Sequence, residues 1–205
     1  MKYIRCQNIT KSFGNNLVLD NFNYMFSSDN INFITGANGI GKSTLISCIL
    51  EFLKCDGVIS SNVGKVVYQP EKVVLPDYIK LKDYLILIGK IHRIDCNDKM
   101  LELIKLFGLE KVLEKDLIKL SKGMRQKVLL IQTLMIDADA YFFDEPLSGL
   151  DPLSQQKLIG ELNKLLEKEK LIIIVTHFIE QYSMNNKKIV NLNNKEEYQD
   201  VTVTL

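Results

Sequence analysis

The feature that most constrains the fold of this chain is a glycine-rich segment between two structured patterns. Residues 36–43 read GANGIGKS and fit the spacing G-x-x-x-x-G-K-[ST]. The run 31–35 before it predicts a strand, and the apolar spacing over residues 42–53 predicts a helix. In that context the glycines let successive backbone N–H groups face phosphate oxygens at the positive end of the helix. The segment therefore predicts a phosphate-binding loop, with an ordinary glycine-rich turn as the alternative.

The side chains of this segment have distinct expected roles in nucleotide binding. Lys42 can reach the β- and γ-phosphates, the Ser43 hydroxyl can ligate Mg²⁺, and Thr44 can donate to a phosphate oxygen. The other positions assigned to the nucleotide are Gly36, Asn38, Gly39 and Gly41. Kinases, GTPases and ATPases share such a loop, so it leaves the reaction open.

Short apolar runs alternate with helical patterns along the chain, which predicts an α/β fold. The runs 65–68, 140–143 and 171–175 are apolar on both faces, as in a parallel sheet covered by helices. Alternating apolar residues before residue 27 predict half-buried antiparallel strands, and residues 189–192 and 201–205 are further candidate strands. Between residues 69 and 120 the spacing becomes helical, which predicts an inserted helical subdomain.

Two acids follow the second apolar run, where residues 140–145 read AYFFDE. Ligands collect at the carboxyl ends of strands in open parallel sheets. We expect Asp144 to meet the metal through water and Glu145 to orient an attacking water or accept its proton. The alternative is a solvated turn, but a phosphate-binding loop in the same chain favours catalysis.

Charge and hydropathy exclude some classes of protein. Lys and Arg total 26 against 25 for Asp and Glu, so a net charge of +1 gives no support for nucleic acid as a partner. The longest apolar runs, such as 171–175, are far below the roughly 20 residues that span a bilayer. The N-terminal residues lack the apolar stretch of a secretory signal, so we expect a cytoplasmic location.

Several further motifs occur in the order that they have in ABC transporters, and the sequence resembles the ATP-binding subunit of that family over nearly its whole length. Residues 120–126, LSKGMRQ, look like that family's signature, usually LSGGQ, and residues 148–151, SGLD, follow the acids as its D-loop does. Gln69 occupies the Q-loop position, His177 that of the switch histidine, and Phe13 that of the adenine-stacking aromatic. Taken singly, His177 or Phe13 could be an ordinary core or surface residue.

The resemblance implies an α/β fold with a P-loop NTPase core, a mainly parallel sheet, an N-terminal antiparallel β-subdomain and an inserted helical subdomain. The whole chain, 1–205, would be one ABC ATPase domain, with residues 1–69 and 121–205 as the nucleotide-binding core and 70–120 as the helical subdomain. Its cofactors would be ATP and Mg²⁺. Its partners would be a second nucleotide-binding subunit, identical or not, and an integral membrane permease, which places it on the inner face of the cell membrane.

The resemblance also implies residue roles. Gln69 would sense Mg²⁺ and water, Phe13 would stack on adenine, and His177 would contact the γ-phosphate and hold the attacking water. Ser121 and Gly123 would contact a nucleotide held by the other subunit, next to the D-loop residue Asp151. Two ATP molecules would then be sandwiched head to tail in a dimer.

One departure concerns the signature, because Lys122 replaces its first glycine and Met124 its glutamine. Signatures of this type look similar to those of stand-alone bacterial exporter subunits, which favours export. The expected surface for the permease is formed by residues of the helical subdomain: Tyr78, Ile79, Leu81 and Tyr84. The alternatives are a soluble ABC-type ATPase acting on a macromolecular complex and a small-molecule kinase. A kinase would leave residues 120–126 and 148–151 unexplained.

Overall fold

A computed structural model describes residues 1–72, 75–94, 97–184 and 186–194 of the chain. Its strands and helices, in chain order, are β1 (Tyr3–Phe13), β2 (Asn16–Ser27), β3 (Ile31–Thr35), α1 (Lys42–Ile49), β4 (Asp56–Ser61), β5 (Val66–Gln69), α2 (Leu81–Ile91), α3 (Asn97–Phe107), α4 (Lys122–Met135), β6 (Ala140–Asp144), α5 (Pro152–Glu167), β7 (Leu171–Val175) and β8 (Lys187–Asn191). Short 3₁₀ turns occupy Glu110–Val112, Leu117–Lys119 and Ile179–Gln181.

Five of the strands form a parallel sheet in the order β5-β6-β7-β3-β8. All residues of β6 and β7 are buried, because α1 with strands β1 and β2 covers one face of the sheet and helices α2–α5 cover the other. The predicted parallel sheet is therefore confirmed. Since the strands are parallel, the loop after β3, the acids at the end of β6 and the residue after β7 emerge at the same edge. This edge carries the candidate site.

The second sheet is antiparallel, with three strands in the order β2-β1-β4. The side chains of Ile4, Cys6, Phe22 and Phe26 are buried and share a core with α1 and one face of the parallel sheet. The N-terminal antiparallel strands are thus confirmed, whereas β4 has no sequence signal. Its residues are almost all exposed, so they show no alternation of apolar and polar positions.

Helices α2 and α3 lie between β5 and α4 in the chain and share a core with α4, α5 and the other face of the parallel sheet. This core buries Leu81 and Tyr84, so the expectation that they form a surface for a permease is wrong, although Tyr78 is exposed. Helix α1 also ends at Ile49, earlier than predicted, and leaves Phe52 exposed.

The end of the described chain adds one strand to the sheet. Strand β8 pairs with β3, close to the predicted strand 189–192, and the candidate strand 201–205 lies outside the described residues. Within the part of the chain that the structure describes, no helix combines the length and hydropathy needed to cross a bilayer.

Candidate active site

The glycine-rich loop joins β3 to α1 and ends at Gly41, the N-cap of the helix. Gly41 has a φ of 117°, and a Cβ there would lie 2.8 Å from Cγ1 of Val18 on β2. A side chain at this position would therefore meet both backbone strain and a steric clash. The close approach also places the β1–β2 hairpin beside the loop.

Lys42 is the first residue of α1, and its side chain is buried against the loop. Its Nζ donates hydrogen bonds to the carbonyl oxygens of Gly36 and Ala37, at 2.8 and 2.9 Å. Burial lowers the pKa of Lys42, and the negative charges of Glu145 and Asp144 oppose that shift. The loop thus holds the ammonium group of Lys42 close to the carboxylates of Asp144 and Glu145.

Asp144 is the last residue of β6 and is only 7% exposed. Burial is the main cause that raises the pKa of Asp144 to about 6, and the negative charges of Glu71 and Glu145 add to it. The nearby side chains of Lys42 and His177 act to lower the pKa of Asp144. The site therefore contains a carboxylate whose ionised form would be stabilised by a bound cation.

Glu145 has a left-handed backbone conformation, with a φ of 47°, and its N–H donates to the Val175 carbonyl at 2.9 Å. Its carboxylate accepts hydrogen bonds from Oγ1 of Thr176 at 3.0 Å and from the N–H of His177 at 2.9 Å. Nε2 of His177 lies 3.8 Å from Oε1 of Glu145. The turn after β6 is therefore tied to the end of β7 by backbone and side chain.

These groups line a cavity of about 190 Å³ at the carboxyl edge of the sheet. Nine of the predicted site residues share its lining: Asn38, Gly39, Gly41, Lys42, Ser43, Thr44, Asp144, Glu145 and His177. The lining also includes Glu71, which sequence reasoning missed. The only available signal was its position two residues after Gln69. The cavity thus joins the glycine-rich loop to a buried carboxylate, Asp144, and a candidate base, Glu145.

Gln69 tests whether these residues fit Mg²⁺. It is 2% exposed, and its amide oxygen and nitrogen both lack a hydrogen-bond partner in the described chain. It pairs in register with Phe143, the residue before Asp144. A buried amide without partners is costly unless a ligand satisfies it. Gln69 lies outside the lining of the cavity, whereas Ser43 and Asp144 belong to it. The three side chains carry oxygen donors of the kind Mg²⁺ prefers, so their chemistry fits the ion.

Phe13 lies outside the cavity, at the end of β1, where it pairs with Asn16 across the hairpin. Its ring is half exposed, and Nζ of Lys11 lies 5.2 Å from its centroid. An exposed ring is available to stack on a base, and the role of Phe13 at adenine stays a prediction.

The predicted trans residues also lie outside the lining of the cavity. Ser121 is the N-cap of α4 and accepts the N–H of Met124 at 3.3 Å. Asp151 is the N-cap of α5 and forms an ion pair with Lys127 of α4 at 2.7 Å. A Cβ at Gly123 would lie 3.0 Å from the Gly149 carbonyl oxygen, so the start of α4 packs against the D-loop. These residues form one unit, separate from the cavity of their own chain.

The fold and the site define a P-loop ATPase, and comparisons with known proteins identify the family. A family model described as "ABC transporter" matches residues 19–148. A zinc import ATP-binding protein of Rickettsia conorii is 30% identical over 93% of this chain and 82% of its own length. An uncharacterised ABC transporter ATP-binding protein of Bacillus subtilis is 34% identical over 72% of this chain and 64% of its own length.

Solved structures agree with these sequence relatives. An ATP-binding subunit of an ABC transporter superimposes with a TM-score of 0.80 at 26% identity, covering 92% of this chain and 86% of that one. A putative ABC transporter ATP-binding protein from Pyrococcus furiosus gives a TM-score of 0.79 at 25% identity, covering 93% of this chain and 98% of that one. The chain belongs to the ABC transporter family and is an ATP-binding subunit with the ATPase fold.

Proposed function

We propose that this chain hydrolyses ATP as one half of a dimer that holds two Mg-ATP and drives a separate membrane permease. One observation carries the proposal. The cavity brings the Lys42 loop within reach of Glu145 and His177, whose hydrogen bonds fix them at the same sheet edge. A site that only bound phosphate would not need an acid and a histidine there.

The residues divide the work of hydrolysis. Lys42 and the loop N–H groups bind the β- and γ-phosphates, and Glu145 orients the attacking water or accepts its proton. His177 donates to the γ-phosphate. Bound Mg²⁺, held by Ser43, Gln69 and Asp144, would neutralise charge on the phosphate oxygens. Catalysis then comes from positioning and charge stabilisation, with no covalent intermediate on the protein.

The dimer supplies the groups that the cavity lacks. Ser121 and Gly123 stand at the N-terminus of α4, where free N–H groups and the helix dipole favour an anion. They lie outside the cavity of their own chain, so we propose that they contact a nucleotide held by a second subunit. Asp151, the last residue of the D-loop, belongs to the same unit. Hydrolysis would then open the dimer, because the γ-phosphate joins the two halves.

The permease is proposed to bind an apolar cleft of about 430 Å³ beside β5, from the cytoplasmic face of the membrane. Exposed Phe52 and Val66 line it, and none of its lining residues is acidic. Strand β5 ends at Gln69, so a permease segment in this cleft would press on the strand that carries a proposed Mg²⁺ ligand. That continuity favours a permease over an unrelated partner.

Residues 120–124 favour export, whereas the Rickettsia relative is named for zinc import. We retain export as the proposed direction. Transport by the reconstituted subunit and permease in vesicles tests it, since export predicts accumulation of substrate on the side opposite to ATP.

The experiment that tests the proposed function uses Glu145→Gln. We expect this variant to bind ATP, to accumulate as a dimer in light scattering, and to turn over about 100-fold more slowly or less. Lys42→Ala is the control, and it should lose ATP affinity and stay monomeric. Normal turnover by Glu145→Gln would remove Glu145 from its role, and a chain that stays monomeric with ATP and permease would contradict the dimer.

A further inference from the structure

Thr176, the residue between β7 and the switch histidine His177, makes two hydrogen bonds with its side chain. Thr176 is 2% exposed, and its Oγ1 donates to Oε2 of Glu145 at 3.0 Å. The same Oγ1 accepts the N–H of Phe178 at 3.1 Å. The contact with Phe178 is a local turn contact, whereas the contact with Glu145 joins residues 31 apart in the chain and points to a role for the side chain.

In the contact with Glu145, the Thr176 hydroxyl is the donor. A threonine hydroxyl has one proton and can also accept. The Phe178 N–H binds one lone pair of Oγ1, and because a carboxylate has no proton to donate, the hydroxyl proton lies in the contact with Glu145. The His177 N–H binds the other carboxylate oxygen at 2.9 Å. Both oxygens of Glu145 are therefore held from one side, and each keeps a further lone pair for water.

A buried tyrosine, Tyr182, follows Thr176 closely in the chain. Tyr182 is 1% exposed, and its ring packs edge-to-face on Phe33 with centroids 5.0 Å apart. Burial and the negative charge of Glu145 raise the pKa of Tyr182, and its hydroxyl makes no hydrogen bond within the described chain. No hydrogen bond from Thr176 to Tyr182 therefore competes, among the described residues, with the one to Glu145.

We propose that Thr176 is a positioning residue for hydrolysis, whose hydroxyl aims the Glu145 carboxylate so that its remaining lone pairs face the attacking water. This inference rests on the proposed role of Glu145 in ATP hydrolysis. Thr176 would not touch ATP or water itself. Its effect should therefore appear in the rate of hydrolysis rather than in the binding of nucleotide.

The test compares Thr176→Val, which keeps the shape and removes the donor, with Thr176→Ser, which keeps the donor. Loss of a hydrogen bond to a charged group corresponds to about tenfold or more in kcat, which we expect for Thr176→Val. KM and ATP affinity should stay within about twofold. Thr176→Ser should retain most of the rate. Equal kcat in wild type and Thr176→Val, or equal losses in both variants, would overturn the inference.

A second measurement separates positioning from general damage. In the Glu145→Gln background, under single-turnover conditions, Thr176→Val should cause no further loss, because the carboxylate that it positions is already gone. A full additional loss there would overturn the inference. If Glu145→Gln itself turned over normally, the proposed function would fail instead, so the two failures are distinguishable.

Discussion

At the scale of single residues, Gln69 combines a cost in stability with a proposed function. Its buried amide makes no hydrogen bond in the described chain, although it adjoins the strand that ends at Asp144. Such a group destabilises the nucleotide-free protein and gains its partner only when a ligand binds. With the proposed role of Gln69 as a Mg²⁺ ligand, stability and Mg²⁺ binding oppose each other at this position.

We predict that Gln69→Met raises the free energy of unfolding by about 1 kcal/mol, because no buried amide is then left without a partner. The same change should raise the Mg²⁺ concentration needed for half-maximal ATP hydrolysis. Urea unfolding without nucleotide and a Mg²⁺ titration of turnover measure the two effects. Gln156→Met, at an exposed position on α5, is the control and should change neither. A Gln69→Met protein of lower stability would argue against an unsatisfied amide.

At the scale of elements, Asp151 joins two helices. Its carboxylate caps α5 by accepting hydrogen bonds from the N–H of Ser154 at 2.9 Å and from the Ser154 hydroxyl at 2.8 Å. The same carboxylate forms an ion pair with Lys127 of α4. Lys127 and Ser154 lower the pKa of Asp151. At pH values above the pKa that Asp151 has in the unfolded chain, its carboxylate stabilises the fold. This contribution is lost as the pH falls towards the lower pKa that it has in the folded protein.

Two substitutions separate the cap from the ion pair. Asn is as good an N-cap as Asp, so Asp151→Asn should lose only the exposed ion pair, at most about 1 kcal/mol. Asp151→Ala should cost about 1 kcal/mol more, because the cap is lost as well. Urea unfolding at neutral pH measures both. The gap between wild type and Asp151→Asn should narrow in acid, and equal stability of the two variants would contradict the capping role.

At the scale of the whole molecule, the two edges of the parallel sheet differ. Strand β5 borders the apolar cleft proposed for the permease, while β8 forms the opposite edge. We predict that Phe52→Asp prevents co-purification with the permease and leaves ATP binding unchanged, because a charge would have to be desolvated in the contact. Affinity capture from detergent-solubilised membranes measures this.

The matched control for this prediction is Ile189→Asp on β8, where an exposed apolar side chain stands at the other edge. It should leave co-purification intact. Equal capture of the permease by Phe52→Asp and wild type would move the docking surface away from the cleft. Capture of a ribosomal or other soluble complex in place of a membrane protein would favour the alternative ATPase class.

Features encoded by neighbouring residues could be predicted from the sequence alone. The glycine loop and the acids at the end of β6 depend on local spacing, which fixes backbone geometry within a few residues. The expectation that Leu81 and Tyr84 form a surface for a permease was wrong because local spacing carries no information on the partner of a helix face. Helical spacing identified apolar positions such as Leu81 and Tyr84, but spacing does not say whether such a face meets the core or a partner.

The sequence by itself determined the chemistry that this protein carries and the end of each strand at which it lies. Only the tertiary structure decided that β7 lies between β6 and β3, which brings Thr176 to Glu145, 31 residues away in the chain, and that Glu71 joins the cavity. The physical reason is that strand order follows from packing summed over the whole core. Local periodicity reports only the face that each segment buries.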